Sequence, residues 1–278
     1  MASFLITGTS TGIGRATALH LDRLGHRVYA GVRQQTDGEA LAAQASDRLR
    51  PVILDVTDEA SIAAAIVLID TDLAADGLAG LVNNAGEGFP GPLETIPLDQ
   101  LRAQFEVNVL GQVAVTRAAL PLLRRATGRI VFVSSVGGLV SVAFAGPYHA
   151  SKYAIEAIGN CWRQELAPEG IVVSLIEPGP IATPIWAKAS ARLDEQLADP
   201  SPLVERYRRR LDAMQDSFRS ANEKGSSPDQ VAEVIVKALT ESRPSSRYAA
   251  GRGIKLITPL LPLLPDRLLD RLAALAAK

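Results

Sequence analysis

Tyr148 and Lys152 stand four residues apart in the run Tyr148-His149-Ala150-Ser151-Lys152. They fall in a stretch, Tyr148–Ala167, whose apolar spacing predicts a helix. Four residues along a helix is about one turn on one face, so the phenol and the ammonium would be neighbours. A free phenol titrates near about pH 10 and is a poor proton acceptor at neutrality unless something favours its anion. A nearby positive charge does so. A tyrosine in that position can hand a proton to a carbonyl oxygen, or take one from an alcohol in reverse. The same spacing is common on ordinary helices, so context decides. Here the pair follows Arg129–Ser134, an apolar run that predicts a buried strand and ends in the hydroxyl pair Ser134-Ser135.

A second chemical signal lies at the start of the chain. The stretch TGTSTGIGR, Thr7 to Arg15, sets Gly8, Gly12 and Gly14 between a short apolar run and a helical pattern. Backbone N–H groups at a helix start lack intrahelical partners and carry the positive end of the helix dipole. Glycines let an anion such as a pyrophosphate approach them closely. Taken alone, such a turn would also serve tight packing.

Other chemistries find little support. The 29 basic and 30 acidic residues leave a net charge of −1, so no electrostatic case exists for nucleic acid. Three scattered histidines (His20, His26, His149) and the single Cys161 form no metal-ligand pattern, and no metal is expected. One cysteine excludes an internal disulfide; in its helical run it reads as apolar filler. A strand starting at Ser3 or Phe4 leaves no room for a signal peptide, and no apolar run approaches the roughly 20 residues of a membrane span. A cytoplasmic protein is expected.

The elements that must position these groups alternate. Phe4–Thr7, Arg27–Val32, Val52–Asp55, Gly80–Asn83, Arg129–Ser134, Val172–Glu177 and Arg247–Ala250 predict strands. Ile13–Leu24, Gly38–Ala45, Glu59–Asp70, Leu98–Arg125, Tyr148–Ala167 and Pro228–Thr240 predict helices. Such alternation implies right-handed βαβ units and a doubly wound parallel α/β sheet of about seven strands, covered on both faces. Its ligand would lie beyond the carboxyl ends of the strands. From Ile181 to Ser227 no strand signal occurs, and apolar residues recur among charges, as in a helical lid over a cleft. The end of the chain, about 255–278, carries three prolines and then an amphipathic helix opening at Pro265-Asp266. With 278 residues and no linker or repeat, one domain is the expected organisation.

Further signatures stand in order along the chain: NNAG (Asn83 to Gly86), Asn108 in EVNVLG, Ser135 in VFVSSVGG, YHASK, and EPGPIAT (Glu177 to Thr183). With the GxxxGxG turn, this set resembles the short-chain dehydrogenases/reductases over about Phe4 to Leu239. The resemblance implies a Rossmann fold and a catalytic tetrad of Asn108, Ser135, Tyr148 and Lys152. Ser135 lies thirteen residues before Tyr148, the family's separation, so it rather than Ser134 would hydrogen-bond the substrate oxygen. Asn108 would bend its helix and hold a water linking Lys152 to solvent. His149 and Tyr153 receive no role.

For the cofactor, the resemblance implies pyrophosphate at Gly8, Ser10, Thr11, Gly12, Ile13 and Gly14, and adenine beside Asp55 and Val56. Asn84, Ala85 and Gly86 would line the ribose and nicotinamide. Pro178, Gly179, Ile181 and Thr183 would hold the carboxamide, and Tyr148 and Lys152 would also touch the cofactor. NAD-using Rossmann proteins place an acid at the end of strand two for the ribose hydroxyls. Here Val32 stands there and Arg33 follows, with a guanidinium suited to a 2′-phosphate. Thr11, just before Gly12, is not the basic residue that many NADP-using relatives carry, so the expectation is preference for NADP(H) over NAD(H) and not exclusion. The strings VYAGVR, SSVGGLVS and EPGPIAT look most like the hydroxysteroid and retinol dehydrogenase branch. A small hydrophobic alcohol or carbonyl substrate near Phe89, Phe144 and Trp186, and a homodimer or homotetramer, are expected. A catalytically silent dinucleotide-binding regulator is the alternative from another class, and the intact tetrad counts against it. A methyltransferase with a similar glycine turn would lack YxxxK.

Overall fold

The computed structural model describes residues 1–198 and 201–276; the expected lid and tail run through 199–200 and 277–278, which lie outside the described residues. Seven strands, β1 (Ser3–Ile6), β2 (Arg27–Val32), β3 (Leu49–Ile53), β4 (Gly80–Asn83), β5 (Arg129–Val133), β6 (Val172–Pro178) and β7 (Arg247–Ala250), form one parallel sheet in the order β3-β2-β1-β4-β5-β6-β7. The order reverses between β1 and β4, which opens a crevice at their carboxyl ends. Successive strand residues face opposite sides, so both neighbours in each pair are buried. Leu5, Leu81 and Phe132 meet α3 (Glu59–Leu73), α5 (Gly111–Ala126) and α6 (Gly146–Leu166). Ile6, Val82 and Val131 meet α1 (Gly12–Arg23), α2 (Gln35–Ala42) and α9 (Pro228–Thr240).

Two expected elements start three residues earlier than predicted. The third strand runs Leu49–Ile53 and not Val52–Asp55, because Pro51, which reads as a stop, is tolerated on an edge strand. Asp55 consequently lies in the turn after the strand. The second helix begins at Gln35, ahead of Gly38. Gly38 is interior because a Cβ there would come within 2.8 Å of Pro51 Cβ. The expected helix Leu98–Arg125 is real but interrupted: α4 (Leu98–Phe105) passes through a π-helical turn, Glu106–Leu110, into α5. Cys161 is exposed, so it is not filler; its helix turns that face outward.

The region without strands forms α7 (Ile185–Leu197) and α8 (Pro202–Lys224). They bury Ala189, Leu193, Leu211 and Phe218 in a small core of their own, with Trp186, Met214 and Phe144 packed on it. Both ends of this excursion meet in a single parallel bridge between Ile181 and Ser226. Ala182 N–H donates to Ser226 O at 2.9 Å and Ser226 N–H to Pro180 O at 3.0 Å. After α10 (Ile254–Ile257), the predicted amphipathic helix follows as α11 (Asp266–Ala276). Among the described residues no helix is long and apolar enough to cross a membrane.

Candidate active site

Ser135 ends the segment after β5 in extended backbone, and its Oγ accepts from Gly137 N–H at 3.0 Å. Its own proton points to Pro178 O at 3.5 Å, and Tyr148 is within hydrogen-bonding reach. Tyr148 and Lys152 share the face of α6 that the spacing predicted, with Lys152 Nζ 5.7 Å from the Tyr148 ring centre. Lys152 is 4% exposed and its Nζ donates to Val133 O at 2.8 Å, so the strand that delivers Ser135 also anchors the amine. Burial pulls the Lys152 ammonium down to about 8, with Glu156 one turn away opposing the shift. Burial pushes the Tyr148 phenol up, against the Ser135 hydrogen bond. His149 turns away, with Nδ1 2.8 Å from Gly137 O, and burial lowers it.

Asn108 sits in the π-helical turn, fully buried. Its Oδ1 accepts from Glu87 N–H at 2.8 Å, while Nδ2 donates to Glu87 O at 3.0 Å and to Ser151 Oγ at 3.1 Å. Ser151 Oγ in turn donates to Tyr148 O at 2.7 Å, which ties Asn108 to the α6 backbone. Two amides absent from the sequence-based site extend this row. Gln104 accepts from Phe89 N–H at 2.9 Å and donates to Glu87 O at 2.6 Å, and Gln112 donates to Ala85 O at 3.1 Å. Residues 85–89 therefore lie against a ladder of three buried amides. The recurrence of Gln104, Asn108 and Gln112 every four residues was the available signal: three polar residues on a helix face that should bury apolar ones.

The turn at residues 8–14 fits a dinucleotide pyrophosphate. Gly8 and Gly12 have φ of +68° and +59°, and a Cβ on Gly14 would lie 2.4 Å from both Asn84 Nδ2 and Gly8 O. The N-cap residue of α1, Thr11, makes no side-chain cap and the first turn has no acid, so its backbone donors are left for an anion. Asn84 Nδ2 donates to Thr7 O at 2.9 Å and Gly8 O at 3.0 Å, and Thr7 Oγ1 accepts from Asn84 and Ala85 N–H, both at 3.0 Å. Asn84 thus braces the turn. On the other side, a Cβ on Gly12 would come within 3.2 Å of Thr183 Cγ2, so the segment after β6 closes over the turn.

Two of the residues expected at the cofactor, Asp55 and Arg33, also have partners within the chain. The Asp55 carboxylate accepts from Thr57 N–H at 2.9 Å and Thr57 Oγ1 at 2.7 Å, shaping its own turn, while capping of α3 falls to Asp58. Val32 is buried at the end of β2, and Arg33, exposed just beyond it, pairs with Glu87 at 3.5 Å. Glu87 also binds Arg192 of α7 at 2.5 Å. Phe89 lies beneath that guanidinium, 3.8 Å from it, whereas Phe144 and Trp186 join the α7–α8 core.

A glycine turn without a helix cap, at the crevice of a doubly wound sheet, beside a hydroxyl pair over a buried lysine, defines a class, and comparison with known proteins agrees. The family model described as short chain dehydrogenase matches residues 3–194, and the chain belongs to that family: it is an oxidoreductase acting on CH–OH groups. Retinol dehydrogenase 16 of Mus musculus is 38% identical over 273 residues, 96% of this chain and 86% of that protein. The 17-beta-hydroxysteroid dehydrogenase type 6 of Bos taurus is 38% identical over 271 residues, 95% and 85% of the two chains. The chain accordingly lies in the hydroxysteroid and retinol dehydrogenase branch. An NADPH-dependent 3-dehydrocapnine reductase of Ornithobacterium rhinotracheale is 32% identical over 274 residues, 96% and 94%. Among solved structures, a short chain dehydrogenase of Burkholderia cenocepacia in complex with NADP superposes with a TM-score of 0.74 at 26% identity, covering 98% and 97% of the chains.

Proposed function

We propose that this protein interconverts a hydrophobic alcohol and its ketone or aldehyde with NADP(H), using Tyr148 as the acid and base. The observation that carries the reading is the Tyr148 hydroxyl beside Ser135 above a buried Lys152. A bound nicotinamide dinucleotide supplies or accepts the hydride. In reduction, Ser135 and Tyr148 hydrogen-bond the carbonyl oxygen, and Tyr148 passes its proton to that oxygen as charge builds there. Burial keeps the phenol protonated at neutral pH, the form an acid needs. In oxidation Tyr148 must take the alcohol proton, and the Lys152 ammonium, still charged below about 8, favours the phenolate that does so. Asn108, Gln104 and Gln112 keep residues 85–89 against the site. Lys152 and the α1 turn are the groups that would hold the ribose and the pyrophosphate.

Buried Val32 with exposed Arg33 supports NADP(H): no carboxylate stands where ribose hydroxyls would be accepted, and a guanidinium is offered to a 2′-phosphate. Relatives named for retinol and hydroxysteroid substrates, and the apolar α7–α8 pair, support a hydrophobic substrate. Steady-state kinetics on retinoid and steroid carbonyls test the reading. We expect higher kcat/KM with NADPH than with NADH, inverted by Val32→Asp with Arg33→Ala; a wild type that favours NADH overturns it. The silent-regulator alternative predicts no turnover with any of these substrates.

A further inference from the structure

Glu87 follows the NNAG run, and its backbone has little freedom. Its N–H donates to Asn108 at 2.8 Å, and its carbonyl accepts from Gln104 at 2.6 Å and from Asn108 at 3.0 Å. The side chain is therefore delivered to one place. There its two oxygens are divided between guanidinium groups from opposite sides of the site. Oε1 lies 3.5 Å from Arg33 Nη1, just past β2, and Oε2 lies 2.5 Å from Arg192 Nη2 on α7. Arg192 has further partners, donating to Gly88 O at 2.7 Å and stacking on Phe89. Arg33 is the loose member, with a side chain 57% exposed and one long contact, against 17% for the Glu87 side chain.

We propose that Glu87 tunes cofactor selectivity by acting as a resident anion on Arg33, which a cofactor's 2′-phosphate must displace, and that Arg192 weakens this hold by drawing the carboxylate toward α7. The inference rests on the reading of Arg33 given above. A phosphate monoester carries about −1.5 to −2 charges near neutral pH and presents three strong acceptors, so it outcompetes a carboxylate at 3.5 Å for an exposed guanidinium. The displaced carboxylate remains near that phosphate and repels it. A cofactor without the 2′-phosphate meets neither effect. Glu87 thus works against NADP(H) alone, and the preference set by Arg33 is held below what the guanidinium would give by itself.

Binding of 2′,5′-ADP and 5′-AMP to the full chain, measured by calorimetry, tests this without turnover. Glu87→Gln should tighten 2′,5′-ADP by about two- to fivefold, the range an exposed ion pair supplies, and leave 5′-AMP unchanged. Arg192→Gln should weaken 2′,5′-ADP by about twofold on the same scale, because the freed carboxylate turns wholly to Arg33. A wild type that prefers 2′,5′-ADP with no gain in Glu87→Gln overturns the part given to Glu87, as does an equal gain for both probes. No loss in Arg192→Gln overturns the part given to Arg192. Equal binding of both probes by the wild type and by Glu87→Gln overturns the Arg33 reading instead.

Discussion

Around Tyr148, each functional side chain hangs on an element buried in the main sheet core, whereas α7 and α8 meet the facing loop through long polar side chains. Lys152 is tied to β5 through Val133 O, and Asn108 to α6 through Ser151. On the other side, Arg192 reaches Gly88 O, Gln196 reaches Pro90 O at 2.8 Å, and Tyr207 OH reaches Glu94 at 2.5 Å. Three extended side chains from one helix pair thus grip residues 88–94. Such contacts, part-buried for Arg192 and Gln196 and exposed for Tyr207, cost less to exchange for water than a fully buried anchor, which cannot let go without leaving a donor or acceptor orphaned. The catalytic side chains are anchored in the main core, and the helix pair is held to the facing loop by polar side chains.

The contrast fails first at the chemistry if Tyr148→Phe does little. Removing the hydroxyl should lower kcat by about 10²–10⁴ while cofactor affinity and stability stay near wild type. Retention of half the activity would move the acid elsewhere.

The next test compares two phenylalanines. Phe132 is fully buried in the sheet core, and Phe132→Ala should cost about 3–5 kcal/mol in denaturant unfolding. Phe218 is packed in the small α7–α8 cluster, and Phe218→Ala should cost about 1 kcal/mol globally, with faster hydrogen exchange confined to α7 and α8. Equal losses in one cooperative transition would mean that the helix pair is part of the main core. Cofactor and substrate should slow exchange in the same two helices.

The smallest effect concerns strain at the fixed side. The Lys152 ammonium titrates at about 8 when folded against 10.5 for the free group. Between those values the unfolded chain binds the extra proton, so this residue makes stability rise with pH from about 8 upward; below about 8 the full burial penalty stands. Lys152→Met removes that penalty but orphans Val133 O, so at pH 7 the inactive variant should be more stable by about 1 kcal/mol. The gain should vanish and reverse by pH 10, as thermal melts across that range would show.

Elements bounded by clear stop signals were legible to the residue: Arg27–Val32, Gly80–Asn83, Arg247–Ala250 and Pro228–Thr240 are found as predicted. Where tertiary context overrode a local signal the reading slipped. Pro51 lies inside a strand because that strand is an edge, and Gly38 lies inside a helix because Pro51 leaves no room for a Cβ. The pairing of Tyr148 with Lys152 was legible because both lie on one helix. Glu87 with Arg192 was not: 105 residues separate them, and no local pattern announces such a meeting. Gln104 and Gln112 left one signal, their four-residue recurrence with Asn108, but which backbone segment the amides serve can be told only once that segment's path is known.

The parallel bridge between Ile181 and Ser226 makes the intervening stretch a closed cassette, pinched at its neck by two backbone hydrogen bonds. Chain inserted or exchanged beyond the neck would leave the sheet register untouched, and each doubling of its length adds only about 0.6 kcal/mol of closure entropy. A change of length or sequence beyond the neck therefore need not disturb the sheet or the helix that carries Tyr148.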